Sequence, residues 1–173
     1  MTGTADRLRV TGRAWVFGDD VNTDDMYPGF AMRLPLDEAA RHMFDASRPG
    51  WPELVRPGDI VVAGRNLGLG SSRPVPLLFR ELGVAALVSD QFNSLFFRNC
   101  VNYGLPPVTV PGITERVAEG DVLDLDLEAS RLVNTATGVA ETLTPLPGFL
   151  LDILRAGGLF PRLEADGYLR PQG

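Results

Sequence analysis

The sequence predicts an α/β fold with partly parallel strands, and two patterns along the chain support this prediction. Between residues 60 and 110, short apolar segments alternate with segments of helical periodicity, a rhythm typical of parallel strands joined by helices. From residue 120, apolar and acidic residues alternate, which indicates a half-exposed antiparallel strand. No repeat or linker interrupts the 173 residues, so we expect a single domain over 1–173.

The elements of the first third follow from apolar runs and their spacing. Residues 8–17 predict a first strand, which Gly12 interrupts. The apolar residues of 36–44 recur at helical spacing and predict a helix. A proline-rich surface connector follows over 46–58, and we expect its Trp51 to anchor it against the core.

Glycine and proline bound the remaining elements. Residues 60–63 are apolar and rich in β-branching, which predicts a buried strand, and Pro74 suits the first turn of a helix that Gly83 ends. We expect further strands over 84–88 and 106–110, a helix over 92–103, antiparallel strands over 120–127, at 132–133 and near Val139, and a last helix over 149–156 stopped by Gly157 and Gly158.

Composition excludes several classes of function. All 16 basic residues are arginine, so a P-loop NTPase and a lysine Schiff base are excluded. The single histidine, His42, is expected on a helix surface, which leaves none for a Ser-His-Asp triad. The single cysteine, Cys100, is expected to be a buried small hydrophobe. We therefore expect this chain to bind no metal ion or iron–sulfur cluster by itself.

Charge and hydropathy indicate the setting of the protein. A formal net charge of −6 argues against nucleic acid as the main partner. No apolar run approaches the ~20 residues of a membrane span, and the N-terminal MTGTADRLRV lacks the apolar core of a signal peptide. One cysteine allows no internal disulfide, so we expect a cytoplasmic protein with no membrane contact.

A glycine-rich loop after the 60–63 strand is the first candidate site. Three glycines fall within seven positions and are followed by two hydroxyls and a guanidinium, in the order Gly64-Arg65-Asn66-Leu67-Gly68-Leu69-Gly70-Ser71-Ser72-Arg73. A strand, a glycine loop and a helix start can form an anion-binding concavity lined by backbone N–H groups. The spacing fits neither the dinucleotide fingerprint nor the nucleophile elbow. A carboxylate-bearing substrate suits this set, although a loop that only turns a corner is the alternative.

An acidic loop over 18–29 is the second candidate site. Four carboxylates, Asp19, Asp20, Asp24 and Asp25, fall within seven residues and repel each other. An EF-hand that begins at Asp20 is excluded, since its sixth and twelfth positions lack glycine and glutamate. The loop therefore contains either a buried functional carboxylate or only turn-forming side chains.

Five motifs in order resemble a known family. They are Gly18-Asp19-Asp20-Val21-Asn22-Thr23-Asp24, Pro57-Gly58-Asp59-Ile60, the loop from Gly64 to Arg73, Phe97-Arg98-Asn99 and Ala156-Gly157-Gly158-Leu159. Together they resemble the small subunit of 3-isopropylmalate dehydratase and its homoaconitase relatives, which is similar to the swivelling domain of aconitase. The resemblance covers nearly the whole chain.

The resemblance implies a fold, a reaction and a partner. The fold is a three-layer β/β/α swivelling domain that caps a separate large subunit, and this partner carries a [4Fe–4S] cluster on its own cysteines. The reaction is the reversible dehydration and rehydration of a hydroxy di- or tricarboxylic acid such as 3-isopropylmalate, a step of leucine biosynthesis. The resemblance also implies that this chain is active only together with the large subunit.

Residue roles carry over by position. Ser71 matches the serine that removes the substrate proton, and Asp24 matches the active-site aspartate of a Thr-Asp element. Ser72 and Arg73 match contacts to the substrate carboxylate. Thr23 of the Thr-Asp element and Arg33 are the further expected substrate-binding residues, Arg33 lying just beyond the segment that reads the variable tail of the substrate.

The sequence departs from the family pattern beside the serine. The family usually continues Glu-His-Ala after the Ser-Ser-Arg, where this chain has Pro74-Val75-Pro76, and Leu67 and Leu69 replace an aromatic and a small residue. Two alternatives therefore stay open. One is a divergent member that acts on homocitrate, methylmalate or a related acid, and the other is a non-catalytic assembly or binding module of the same fold.

Overall fold

The computed structural model describes residues 6–170, and its seven strands form one mixed sheet. The spatial order of the strands is β4-β3-β2-β1-β5-β6-β7. The four strands on one side of this order pair in parallel, and β5, β6 and β7 pair in antiparallel fashion. The strands are β1 (Arg9–Val16), β2 (Ile60–Ala63), β3 (Ala86–Ser89), β4 (Pro107–Thr109), β5 (Val122–Asp126), β6 (Arg131–Asn134) and β7 (Ala140–Thr142).

Strand β1 belongs to both halves of the sheet. Its first residues, 9–13, pair with β5, and residues 14–16 pair with β2. Gly12 lies where the two pairings meet, and a Cβ atom there would lie 1.8 Å from the carbonyl oxygen of Gly58. The absence of a side chain at position 12 therefore lets the loop before β2 approach β1.

Two apolar cores cover the two faces of the parallel strands. Residues of β1, β2 and β3 alternate between the cores, with Val61 in one and Ile60 and Val62 in the other. The first core contains helical residues such as Leu78 and Phe96, and the second contains Leu123 and other residues of the antiparallel strands. The predicted α/β class and the three-layer β/β/α arrangement are confirmed.

Most helices pack in the first core, and the helix Gly148–Ala156 packs in the second. Gly29–Arg33 and Ile113–Glu115 form 3-10 turns, and the α-helices are α1 (Thr23–Met26), α2 (Leu36–Ala40), α3 (Trp51–Leu54), α4 (Val75–Glu81), α5 (Ser94–Asn102), α6 (Gly148–Ala156) and α7 (Leu159–Ala165).

Four details of the predicted elements were wrong. The helix predicted over 36–44 ends at Ala40, because tight turns follow and Phe44 takes a left-handed conformation with a φ of 59°. The predicted connector contains α3, and α7 follows the expected last helix after Gly158. Pro74 caps α4, which begins at Val75.

Three single-residue predictions can be compared with the structure, and those for Trp51 and Cys100 are confirmed. Trp51 is fully buried among aromatic rings and anchors its segment to the first core. His42 is partly exposed as expected, but it lies in the turns after α2 and not on a helix, and its Nδ1 is 2.7 Å from Asp45 Oδ2. Cys100 is fully buried, and this burial raises the pKa of its thiol.

Candidate active site

The candidate site lies at the carboxyl ends of β1, β2 and β3. In sheets of parallel strands this edge is where ligands bind. The three loops that leave these strands are joined by isolated bridges, one between Asn22 and Leu69 and one between Leu67 and Phe92. The acidic loop, the glycine-rich loop and the start of α5 therefore form one surface.

The glycines of the glycine-rich loop allow close packing against the neighbouring loops. A Cβ atom on Gly64 would lie 2.0 Å from Asp19 Oδ1, which accepts a hydrogen bond from the Arg65 amide at 2.7 Å. Gly68 has a φ of +90°, and a Cβ atom there would lie 2.1 Å from Phe96 Cγ. A side chain at either position would push Ser71 away from the acidic loop.

Ser71, Asp24 and Arg73 meet in a triangle of polar contacts. The Ser71 hydroxyl donates to Asp24 Oδ1 at 3.1 Å and accepts from Arg73 Nε at 3.2 Å. Arg73 Nη2 lies 2.9 Å from the same Asp24 oxygen. Ser71 is exposed, so its oxygen is held between a donor and an acceptor at the open edge of the sheet.

Backbone contacts fix this triangle in place. Arg73 Nη1 donates to the Tyr27 carbonyl oxygen at 2.6 Å, and the Arg73 side chain is only 18% exposed. Thr23 is buried, and its hydroxyl donates to the Ser71 carbonyl oxygen at 2.7 Å. Thr23 therefore positions the backbone of the loop, and its expected substrate contact remains a prediction.

Backbone amides of the glycine-rich loop face no partner within the part of the chain that the structure describes. The N–H groups of residues 70–73 donate to no acceptor in residues 6–170. The start of α4 contributes little to an anion site, since Pro74 and Pro76 carry no N–H and the Val75 amide donates to the Arg73 carbonyl. The open N–H donors beside Ser71 thus come from the loop and not from the helix, and the expected anion site remains a prediction.

Ser72 lies beside this triangle, whereas Arg33 makes no contact with it. Asn99 Nδ2 donates to Ser72 Oγ at 3.4 Å, and Asn99 lines the same small depression as Ser71. Asn99 belongs to the Phe97-Arg98-Asn99 motif but was not predicted as a site residue. Arg33 ends a 3-10 turn on the exposed surface, and its side chain makes no hydrogen bond or ion pair within residues 6–170.

The other acidic residues of the 18–29 loop support the backbone. Asp19 accepts a hydrogen bond from the Arg65 amide, and Asp20 accepts one from Asn66 Nδ2. Arg65 and Asn66 belong to the glycine-rich loop. Asp25 accepts the Ser47 hydroxyl, while its Oδ1 is buried with no partner among the described residues. Only Asp24 of the four carboxylates contacts Ser71.

The described residues do not fit an iron–sulfur cluster or a metal ion. No group of three or more histidine, cysteine or acidic side chains within 6–170 could hold one, and Cys100 is buried. Over the same residues, no helix has the length and apolar character needed to cross a membrane.

Comparison with known proteins identifies the family. Residues 45–112 match the aconitase C-terminal domain. The chain is 39% identical over 160 residues to the 3-isopropylmalate dehydratase small subunit 1 of Methanopyrus kandleri, covering 91% of this chain and 94% of the relative. It is also 39% identical over 152 residues to the methanogen homoaconitase small subunit of Methanothermobacter thermautotrophicus, covering 87% and 88%.

A solved structure gives the same result. The crystal structure of 3-isopropylmalate dehydratase from Methanocaldococcus jannaschii superposes with a TM-score of 0.86 at 34% identity, covering 92% of this chain and 95% of that one. The fold and the site thus define a swivelling domain of the aconitase type. The chain belongs to the isopropylmalate isomerase and homoaconitase small-subunit family, whose named members support a hydro-lyase subunit.

Proposed function

We propose that this chain is the small subunit of a two-subunit hydro-lyase acting on 3-isopropylmalate or a close 2-alkylmalate analogue. Ser71 is the group that removes the substrate proton, and a large subunit carries the [4Fe–4S] cluster that binds the substrate. The observation that carries the proposal is the Ser71 oxygen, held between Asp24 and Arg73 on the exposed edge of the sheet.

The polar contacts of Ser71 suit a proton acceptor. Its hydroxyl hydrogen points to Asp24 Oδ1, so the carboxylate is placed to take that proton. The Arg73 Nε donor stabilises the alkoxide that remains, as do the loop amides of residues 70–73. The Ser71 oxygen can then accept a proton from a substrate carbon next to a carboxylate.

The energetics require a second subunit. If the hydroxyl has the pKa of an ordinary alcohol, far above neutral, acting as a base near pH 7 requires on the order of 12 kcal/mol at ~1.36 kcal/mol per pKa unit. One well-placed oxyanion donor supplies about 3–4 kcal/mol, so Arg73 and the loop amides supply most of this free energy. Exclusion of water by a covering partner would supply the remainder.

The shape of the site leads to the same requirement. The depression that Ser71 lines holds about 10 Å³, close to the space of one water molecule. A dicarboxylic acid cannot be enclosed there by this chain alone. The apolar side chains of Leu69 and Leu95 are 41% and 45% exposed beside the site, and the proposed large subunit would cover them.

Substrate carboxylates would meet the donors that the chain leaves open. Arg73 uses three of its five N–H groups on Ser71, Asp24 and Tyr27, which leaves two for a carboxylate. The Ser72 hydroxyl and the unpaired loop amides add further donors. Arg33, exposed after the acidic loop, would contact the variable end of the substrate.

Dehydration activity of the reconstituted pair tests the proposal. The chain is combined with its large subunit, and the rate of alkene formation from 3-isopropylmalate is measured for wild type, Ser71→Ala and Ser72→Ala. We expect kcat to fall by at least about 10³-fold for Ser71→Ala, since the proton acceptor is lost. Ser72→Ala should mainly raise KM. Equal kcat values for Ser71→Ala and wild type would favour the non-catalytic module instead.

The same assay distinguishes the substrates. A panel of 2-alkylmalates with methyl, isopropyl and carboxyalkyl tails is compared by kcat/KM. The largest value is expected for the isopropyl tail, and a preference for the methyl or the carboxyalkyl tail would assign the divergent alternative.

A further inference from the structure

A second concave site lies on the opposite edge of the parallel strands. It is a cavity of about 370 Å³, within the ~300–1,000 Å³ typical of small-molecule sites. Gly58, Ala85 and Pro106 line it, and they directly precede β2, β3 and β4. The four residues of β2 span about 13 Å at ~3.3 Å per residue, so this cavity is separate from Ser71.

The cavity, which we call the arginine pocket, contains Arg7, Arg9 and Arg80. None of the three forms an ion pair with a carboxylate within residues 6–170. The one acidic residue lining it, Asp6, accepts a hydrogen bond from the Leu8 amide. Three arginine residues therefore line one concavity and form no ion pair with the described chain.

Two of these guanidinium groups lie against the same residue. Arg80 Nη1 donates to the Gly157 carbonyl oxygen at 3.1 Å and to the Tyr103 carbonyl oxygen at 2.7 Å. A Cβ atom on Gly157 would lie 3.3 Å from the guanidinium carbon of Arg7. Burial and then the positive charge of Arg7 lower the pKa of Arg80 from its usual value. The positive charges of Arg7 and Arg80 repel each other, and a bound anion would reduce this repulsion.

The arrangement of Arg80 and the pocket wall narrows the ligand class. Arg80 is fixed by two backbone carbonyls, so its remaining donors are preorganised for a planar acceptor such as a carboxylate. The lining also includes apolar residues, of which Val10 is half-buried and Val84 and Leu105 are almost fully buried. An alkyl group can pack on the exposed part of Val10, whereas a fully hydrated inorganic anion does not use it.

We propose that the arginine pocket binds a small dicarboxylate with an alkyl side chain, at a site distinct from the catalytic edge. The two carboxylates neutralise the Arg7 and Arg80 pair, and the alkyl group packs on Val10. This proposal depends on the pocket alone, so it stands or falls separately from the role of Ser71.

Isothermal titration calorimetry on the full chain tests the proposal. The probes are 2-isopropylmalate, malate and inorganic phosphate at matched ionic strength. The titrated proteins are the Ser71→Ala, Arg73→Gln double variant, which disables the catalytic edge, and that variant with Arg7→Gln added. A third protein carries Arg131→Gln instead of Arg7→Gln, which removes one exposed positive charge on β6 without touching the pocket.

The expected result has three parts. 2-Isopropylmalate binds the double variant at least about tenfold more tightly than malate or phosphate. Arg7→Gln weakens this binding at least about tenfold, and Arg131→Gln leaves it unchanged. Arg7→Gln should also keep or raise Tm, because it removes the repulsion on Arg80.

Three outcomes would overturn the proposal. If 2-isopropylmalate did not bind the double variant, the arginine pocket would not be a binding site. If it bound and Arg7→Gln had no effect on the affinity, the binding site would lie elsewhere on the chain. If phosphate bound as tightly as 2-isopropylmalate, the pocket would be a site for simple anions and not for an alkyl dicarboxylate.

Discussion

Arg73 has the most constrained environment of any single residue at the candidate site. Its Nε and Nη1 atoms donate to a hydroxyl and a backbone carbonyl, and its Nη2 atom lies in an ion pair with a carboxylate. A guanidinium has this fork of donors, whereas the ammonium of lysine is a single point charge. The shape of the group matters here as much as its charge.

Arg73→Lys should therefore abolish most activity while the charge is kept. A lysine nitrogen reaches at most one of the three acceptors, so Ser71 loses its oxyanion donor, and we expect kcat of the pair to fall about 10²–10³-fold. Steady-state kinetics measure kcat, and Arg65→Lys is the matched control, because Arg65 is exposed and lies 3.7 Å from Asp19. Wild-type kcat for Arg73→Lys would show that the fork has no role.

Sequence patterns could identify the residues whose side chains define the triangle, but not the backbone acceptors. Ser71, Arg73 and Asp24 stand in motifs that carry the family resemblance. The Tyr27 carbonyl that holds Arg73 has no sequence signature, since every residue has a carbonyl. Asn99 was within a quoted motif, yet its contact with Ser72 depends on how α5 packs beside the glycine-rich loop.

Among the elements, the glycine-rich loop depends most on local conformation. Gly68 combines a left-handed backbone with contact to Phe96, which belongs to the first core. The loop is also tied to the other two loops by backbone hydrogen bonds, with the Gly68 amide donating to Val21 and the Leu67 amide to Gln91. Its geometry is thus set by both core packing and pairing.

Gly68→Ala should destabilise the fold by about 3 kcal/mol, because it adds overpacking of about 1–3 kcal/mol to backbone strain of similar size. Urea denaturation of the full chain measures the change. Gly18→Ala is the control, since a Cβ atom at Gly18 would meet nothing within 4 Å. An unchanged midpoint for Gly68→Ala would mean that Phe96 moves aside freely.

Periodicity predicted the strands well and the short helices poorly. Buried strands such as β2 and β3 are short, largely apolar segments that can be recognised from the sequence. Only their order in the sheet depends on long-range pairing. The segment after Ala40 has helical spacing, but the Phe44 amide donates to the Asp25 carbonyl and its ring stacks on Phe17. Such tertiary contacts, which override local propensity, are not visible in the sequence.

In the whole molecule, the antiparallel and parallel halves of the sheet contribute differently to the structure. The antiparallel half covers the second core, and the parallel half presents three loops at its carboxyl edge. Strand β1 pairs with both halves and leads into the loop that bears Asp24. The edge has exposed apolar side chains, including Phe30 at 59% and Leu95 at 45%.

This edge is where the proposed large subunit should dock. Leu95→Asp introduces a charge beside Ser71. We expect the Kd of the pair to rise at least about tenfold, because burying an unpaired carboxylate costs more free energy than the ~1.4 kcal/mol that a tenfold change in Kd represents. Val139→Asp is the matched control, because Val139 is 42% exposed in the loop before β7. Analytical ultracentrifugation or titration of the labelled large subunit measures both Kd values. If Val139→Asp weakened association and Leu95→Asp did not, the partner would contact the antiparallel half, and Ser71 would remain uncovered by it.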